Sequence, residues 1–187
     1  MEIIVGTNNQ GKLKEMQSGL KDPAIQLVSY RKYTTSQEQP AETGTTYAEN
    51  AYLKARFFQQ LIGRPVLGDD GGLTLTAFPD LLGIHTSRFF HSANPEEQNR
   101  ELLHLFEGQQ STRELTLSAT LVYVLDDDKL LQTEATLTGE LVEPRGTGGY
   151  GFDPIIYLPD RGKTLAELST SCLLYTSDAA AEEARVD

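Results

Sequence analysis

Two neighbouring carboxylates, Asp69 and Asp70, lead into Gly71 and Gly72; Lys12 supplies a point charge beside a polar turn, and Lys54 stands where a cation needs a partner. Adjacent carboxylates repel each other unless a cation or a proton intervenes. Such oxygens suit Mg²⁺, which takes one or two carboxylates together with waters and substrate phosphates. One carboxylate can also orient and deprotonate a water. A tight Asp-Gly turn explains the same four residues more plainly, and Asp126-Asp127-Asp128, which reads only as a hairpin turn, shows how readily acids gather in turns. Lys12 closes the polar stretch Thr7-Asn8-Asn9-Gln10-Gly11-Lys12. A turn that opens a helix presents backbone N–H groups and the positive end of the helix dipole. Gly11 allows close approach, so the stretch suits phosphate; an Asn-capped helix with a solvated Lys12 is the other reading. It is not a Walker A loop, for it has neither the second Gly nor the Lys-Ser/Thr pair.

Lys54 falls inside the apolar stripe of a helix, with Asn50 at the stripe's edge. An ammonium facing a core needs a partner: a bound phosphate, Asp69 or Asp70 would serve, unless the stem carries the charge out to water. Glu49 is better explained as a helix cap than as a catalytic group. In Gly146-Thr147-Gly148-Gly149-Tyr150-Gly151-Phe152-Asp153 the glycines let backbone approach a base or a phosphate, and Tyr150 or Phe152 can stack on a nucleobase. A flexible loop with core aromatics accounts for the same letters. Arg88 is a candidate for phosphate or for an acid partner. His85, His91 and His104 have no ligand-like spacing and receive no role.

The elements that must position these groups follow from pattern. Glu2 to Gly6 reads as a short buried strand, and Leu13, Met16 and Leu20 follow at helical spacing. Gln26 to Tyr30 suggests a second strand, and residues 31–45 a polar loop. Thr46 and Glu49 have capping-box spacing. A helix to about Ile62 should follow, with Tyr47, Ala51, Ala55, Phe58 and Ile62 as its apolar stripe. Pro65 to Gly68 reads as a strand ending in Asp69-Asp70-Gly71-Gly72, and residues 73–76 alternate like another. Pro95 opens a helix through about Phe106. Residues 115–125 and 130–141 read as two long antiparallel strands. This order indicates an α/β domain with a mixed sheet.

The 187 residues carry a formal charge of −11, with 39% hydrophobic and 23% charged residues, which is globular composition of single-domain length. An acidic surface disfavours nucleic acid as a partner. No apolar run approaches the ~18 residues of a membrane span, and the N-terminus lacks a secretory pattern. A cytoplasmic protein with no membrane partner is therefore expected. The single cysteine, Cys172, excludes an intrachain disulfide and a cysteine-based metal cluster.

Taken in order, the motifs resemble the inosine/xanthosine triphosphate pyrophosphatase family, the RdgB-like enzymes of non-standard purine nucleotides. The matching residues are Thr7 to Lys12 with Glu15; Glu42 to Ala51 with Lys54-Ala55; Gly68 to Leu73; Gly83 to Phe89; Gly146 to Pro154; and Gly162 to Leu168. The resemblance covers about residues 2–169 and implies an elongated α/β domain with two lobes around a central cleft, in a homodimer. It implies Mg²⁺-dependent hydrolysis of a small-molecule nucleoside triphosphate (ITP, dITP or XTP) to the monophosphate and pyrophosphate, clearing such nucleotides from the pool. It also implies roles. Thr7, Asn8, Asn9, Gln10, Gly11, Lys12 and Lys54 hold phosphates. Asp70 is water-activating base and metal ligand, with Gly71 beside the substrate. Tyr150, Gly151, Phe152 and Asp153 line the nucleotide site.

The chain departs from the family pattern in three places. Gly71 stands where the family commonly has Ser, and Ala41 replaces the first of two acids, leaving Glu42. From about residue 170 the Ser-His-Arg base-recognition motif is absent, so residues 170–187 read as an atypical, non-native tail, and the preferred base is open. A Maf-like pyrophosphatase of pyrimidine nucleotides and a nucleotide-binding protein without catalysis are the competing expectations.

Overall fold

The computed structural model of the chain describes residues 1–168, and the expectations for the tail at 170–187, with Cys172, lie outside them. The chain divides into two compact units, one of residues 1–71 and 119–134, the other of residues 72–118 and from 135 on. Seven strands, β1 (Glu2–Val5), β2 (Gln26–Ser29), β3 (Val66–Leu75), β4 (Glu114–Val124), β5 (Leu130–Leu141), β6 (Ile156–Leu158) and β7 (Lys163–Thr164), form a mixed sheet in the order β2-β1-β3-β4-β5-β6-β7.

In the first unit, β1 (Glu2–Val5) pairs in parallel with both β2 (Gln26–Ser29) and β3 (Val66–Leu75). Helix α1 (Gln10–Gly19) joins β1 to β2, and α2 (Tyr47–Ile62) lies between β2 and β3. The chain thus steps one way along the sheet and then back. Because β-α-β crossovers are right-handed, the two helices fall on opposite faces. The packing shows it. Val5, Leu13 and Leu27 cluster with Ile3, Met16 and Leu67 on the α1 face. Ile4, Tyr30, Phe58 and Val66 cluster with Val28 and Ile62 on the α2 face. Alternate residues of each strand go to alternate faces, as the pleat requires.

Local chemistry sets the helix ends. The Asn9 side chain caps α1 by accepting from Gly11 N and Lys12 N. Thr46 caps α2 through a bond from Glu49 N, and Gly63, at φ +71°, closes it by donating to the Gln59 carbonyl. The capping box expected at Thr46 is re-aimed: the Glu49 carboxylate accepts from Thr45 N at 2.6 Å and Thr45 Oγ1 at 2.9 Å.

One expected element is corrected. Asp69 to Gly72 is not a turn; β3 runs unbroken through it for ten residues. Neither Gly71 nor Gly72 has a positive φ. An Asp-Gly pair has turn chemistry locally, but strand pairing satisfies more backbone groups than a turn would, and it wins here. Gly68 shows how tightly the segment is held, since a Cβ there would strike the Ala51 carbonyl of α2.

In the second unit, β4 (Glu114–Val124) and β5 (Leu130–Leu141) agree closely with the two long strands expected, though each contributes residues to both units. Helix α3 (Thr86–Phe89) is a single turn, and α4 (Pro95–His104) begins at Pro95 with Asn94 as its cap. Two short strands were not anticipated: β6 (Ile156–Leu158) pairs antiparallel with β5, and β7 (Lys163–Thr164) pairs antiparallel with β6. Leu73, Leu82, Leu102, Phe106, Leu115 and Ile155 belong to the buried core of this unit. Among the described residues no helix is long and apolar enough to cross a membrane.

Candidate active site

Strand register decides where the two acids point. Leu67 packs on the α1 face, so Asp69, two residues on, shares that face; Val66 and Gly68 face α2, and so does Asp70. β1 ends at Val5, opposite Leu67, so both acids lie just past its carboxyl end. That is the point where strand order reverses, and open α/β sheets bind ligands there.

Each acid meets the lysine of its own face. Lys12 Nζ lies 2.5 Å from Asp69 Oδ2, and Lys54 Nζ lies 2.7 Å from Asp70 Oδ1. Lys54 Nζ also reaches Glu42 Oε1 at 2.8 Å and the Asp69 carbonyl at 3.1 Å. Asp69 and Asp70 are buried, at 4% and 8% exposure. Burial presses the Lys54 ammonium toward losing its proton, but its hydrogen bonds to Asp70 and Glu42 outweigh that and hold its pKa above the usual lysine value. The ammonium facing the core is thus partnered through carboxylates, and the helical stripe delivers it inward rather than out along its stem.

Counted at their ordinary charges, three carboxylates face two ammonium groups. A polyphosphate cannot join a cluster of net charge −1 without more positive charge. Asp69 Oδ1, moreover, is buried with no hydrogen-bond partner among the described residues, an acceptor awaiting a cation or a donor. These hard oxygens fit a divalent ion such as Mg²⁺. Among the described residues no three His, Cys, Asp or Glu side chains gather around one metal position. The fit is therefore to an ion held by one or two carboxylates and completed by water and substrate phosphate.

The remaining residues of the phosphate stretch are placed around this cluster with their own contacts. Thr7 is buried and its Oγ1 accepts from Asn9 N at 3.3 Å. The N–H groups of Gly11 and Lys12, expected to point outward, are taken by Asn9 Oδ1 at 2.9 and 3.1 Å. Asn8 Oδ1 accepts from Tyr30 OH at 2.5 Å and from Arg31 at 3.1 Å. Gln10 is exposed and Gly71 half-buried. Glu42, weighed from sequence only as the survivor of two acids, proves to be a direct partner of Lys54. Its signal was its place in the loop before Thr46, but no spacing rule fixes how such a loop folds back.

The residues Tyr150, Gly151, Phe152 and Asp153 belong to the second unit. There Gly146 and Gly148 press on the backbone of Ala166, with Gly148 N donating to the Ala166 carbonyl at 3.0 Å. Asp153 Oδ2 accepts from Tyr150 N at 2.7 Å. Tyr150 is exposed at 39%, whereas Phe152 is half-buried against Phe90. Asn99, on α4, was not singled out from sequence, yet its Nδ2 donates to the Gly151 carbonyl at 3.1 Å. The Thr86 hydroxyl of the Gly83–Phe89 motif holds Leu73 N at 3.0 Å. A surface depression lined by Arg56, Gln59, Arg64 and Asp126 to Asp128 lies at the carboxyl end of α2. There Arg56 pairs with Asp127 at 2.6 Å, and among the described residues lining it no lysine meets a buried acid, so the Lys12–Lys54 cluster is the stronger candidate.

Known proteins bear on this arrangement. The sequence pattern of the Ham1 family matches residues 3–173. A dITP/XTP pyrophosphatase of Geobacillus kaustophilus is 35% identical over 171 residues, 90% of this chain and 83% of that one. One of Paracidovorax citrulli is 38% identical over 175 residues, 90% and 86% of the two chains. Among solved structures, a HAM1 protein from Coxiella burnetii superposes with a TM-score of 0.78 at 31% identity, covering 98% of this chain and 100% of that one.

Proposed function

The chain belongs to the Ham1 family, and on that premise we propose that it is a nucleoside-triphosphate pyrophosphatase acting on deaminated purine nucleotides (dITP, XTP and ITP) and releasing the monophosphate and pyrophosphate. Its relatives named dITP/XTP pyrophosphatase support the substrate class. The observation that carries the reading is the convergence of Lys12, Lys54, Glu42, Asp69 and Asp70 beyond the end of β1.

In this proposal the two ammonium groups bind phosphate oxygens, with Thr7 to Gly11 shaping the wall beside them. Asp70, its Oδ1 fixed by Lys54, orients a water on its other oxygen and accepts the water's proton. The water oxygen bonds to phosphorus as the P–O bond between the α and β phosphates breaks, and pyrophosphate leaves with the electron pair. Asp70, with Asp69 or Glu42, would hold Mg²⁺, which would supply charge neutralisation on the phosphates. The family resemblance gives the nucleoside to Tyr150, Gly151, Phe152 and Asp153. It also implies a homodimer, which sedimentation tests; a cytoplasmic location is proposed apart from it, and cell fractionation tests it. Incubation with dITP, XTP, ITP, ATP and pyrimidine triphosphates in Mg²⁺ is expected to release pyrophosphate from the deaminated purines. Orthophosphate as product, or preference for pyrimidines, overturns the reading.

A further inference from the structure

Asn50 is fully buried on α2, beside Ala51 and one helical turn before Lys54. Its apolar neighbours need only bulk there, and a buried amide is costly unless hydrogen-bonded. Its Oδ1 accepts from Gly44 N at 2.9 Å, while its Nδ2 is buried with no partner among the described residues. The contact is close enough to require glycine: a Cβ on Gly44 would lie 2.8 Å from Asn50 Oδ1 and 2.7 Å from Glu49 Cβ. Two residues before Gly44 stands Glu42, whose carboxylate meets Lys54 Nζ at 2.8 Å. Glu49 and Thr46 pin the following residues, Thr45 Nα–H and the helix start, from the exposed side. Asn50 alone among these contacts pulls the loop from within the core.

We infer that Asn50 is a positioning residue for Glu42: by holding Gly44 against α2 it delivers the third carboxylate to Lys54 and so completes the charge set of the site. The inference rests on the proposed role of that cluster in binding Mg²⁺ and phosphate. A packing residue and a positioning residue differ in what their loss does. Loss of packing lowers stability alone; loss of positioning makes the protein behave as though Glu42 were impaired.

The test compares Asn50→Leu, which keeps the volume and removes the acceptor, with Asn50→Asp, which keeps the acceptor, and with Glu42→Gln. Two readouts are used: amide exchange at Gly44 without ligand, and calorimetric binding of α,β-methylene ITP across a Mg²⁺ series. Asn50→Leu is expected to speed Gly44 exchange roughly 5- to 10-fold, the loss of one hydrogen bond. It should also raise the half-saturating Mg²⁺ by about 10- to 100-fold, as misplaced supporting groups do. Asn50→Asp is expected to keep Gly44 protected. The double variant Asn50→Leu with Glu42→Gln should bind no worse than Glu42→Gln alone, since both remove one function. Additive losses, or a folded Asn50→Leu protein with wild-type Mg²⁺ dependence, overturn the inference. If Asn50→Leu does not fold, Gly44→Ala breaks the same contact from the loop side and is read by the same measures. A wild-type protein that releases no pyrophosphate removes the proposed reaction, while Gly44 exchange still decides what Asn50 holds.

Discussion

Around Asp69 and Asp70 the first unit gathers unlike charges that are buried and mutually dependent: Lys12 on one acid, Lys54 on the other and on Glu42. Around Gly146 to Asp153 the second unit gathers glycines whose freedom is consumed by their own chain. Gly146 and Gly148 lie on Ala166, and Gly149, at φ +68°, lies on the Asp153 carboxylate. The contrast separates two kinds of motif. A glycine-rich stretch next to aromatics is explained in large part by close backbone packing, without any ligand. Two ammonium groups and three carboxylates brought to the end of one strand are not explained by packing, because hydrophobic residues of similar size are often as stable.

Breaking the charged region is expected to give the largest effects. Asp70→Asn preserves shape and removes the proton acceptor. Its turnover is expected to fall about 10²- to 10⁴-fold, the usual contribution of a positioned base, with binding of a non-hydrolysable nucleotide largely kept. Single-turnover kinetics beside calorimetry measures this; an active Asp70→Asn protein removes the base assignment. Lys54→Met leaves Glu42 and Asp70 facing each other without their shared cation. Lys54 is only 15% exposed, so the loss is expected to be about 3 kcal/mol, read as a lower Tm in the absence of nucleotide. An unchanged Tm would mean that the acids relax apart at no cost, and the picture of a mutually dependent cluster would fail.

How far these regions are legible from sequence follows the same division. β1, the start of α2 at Thr46, the opening of α4 at Pro95 and the β4–β5 hairpin are local facts of alternation and capping, and they stand where pattern puts them. Lys54 and Asp70 were legible as charges needing partners, and Lys12 as a phosphate contact or a solvated charge. Which lysine meets which acid was not, because that depends on strand order β2-β1-β3 and on the pleat of β3. The strand break expected at Asp69–Gly72 is absent for a related reason: the local chemistry is turn-like, and pairing with distant strands keeps the segment extended. β6 and β7, at three and two residues, are too short to show a period. Asn50 was visible only as a stripe-edge residue, since its partner Gly44 belongs to a loop with no pattern of its own.

The glycine-rich region is expected to respond more mildly, and differently at neighbouring positions. Gly149→Ala puts a Cβ on a left-handed residue and drives it into the Asp153 carboxylate, which must release Tyr150 N. Gly151→Ala, at φ +60°, meets no atom within 4 Å. The backbone cost of about 1–2 kcal/mol is common to both. Gly149→Ala should therefore be the more destabilised in urea titration. Equal losses would show that the Asp153 clamp contributes nothing to the loop.

The smallest effect is a pH dependence that both regions share. Glu49, at the start of α2, accepts from Thr45 N, and Glu167, in the last described turn, accepts from Thr164 N. These backbone hydrogen bonds favour the ionised form and hold both carboxyls below their ordinary value of 4.5. A carboxyl with a lowered pKa in the folded state binds fewer protons there than when unfolded. Its stabilisation is therefore complete above pH 4.5 and is lost as pH falls through the folded value. Urea unfolding from pH 6 down to pH 3 should show declining stability below about 4.5, and Glu49→Gln and Glu167→Gln should each flatten part of that decline. The raised pKa of Lys54 works at the other end: its contribution is full below 10.5 and disappears only as pH rises through the folded value. Lys54→Met should thus remove the alkaline loss of stability. Urea unfolding from pH 9 to pH 12 checks this: an alkaline decline that survives Lys54→Met would mean that another group carries it, and that the carboxylate partners of Lys54 do not hold its charge through the folded state.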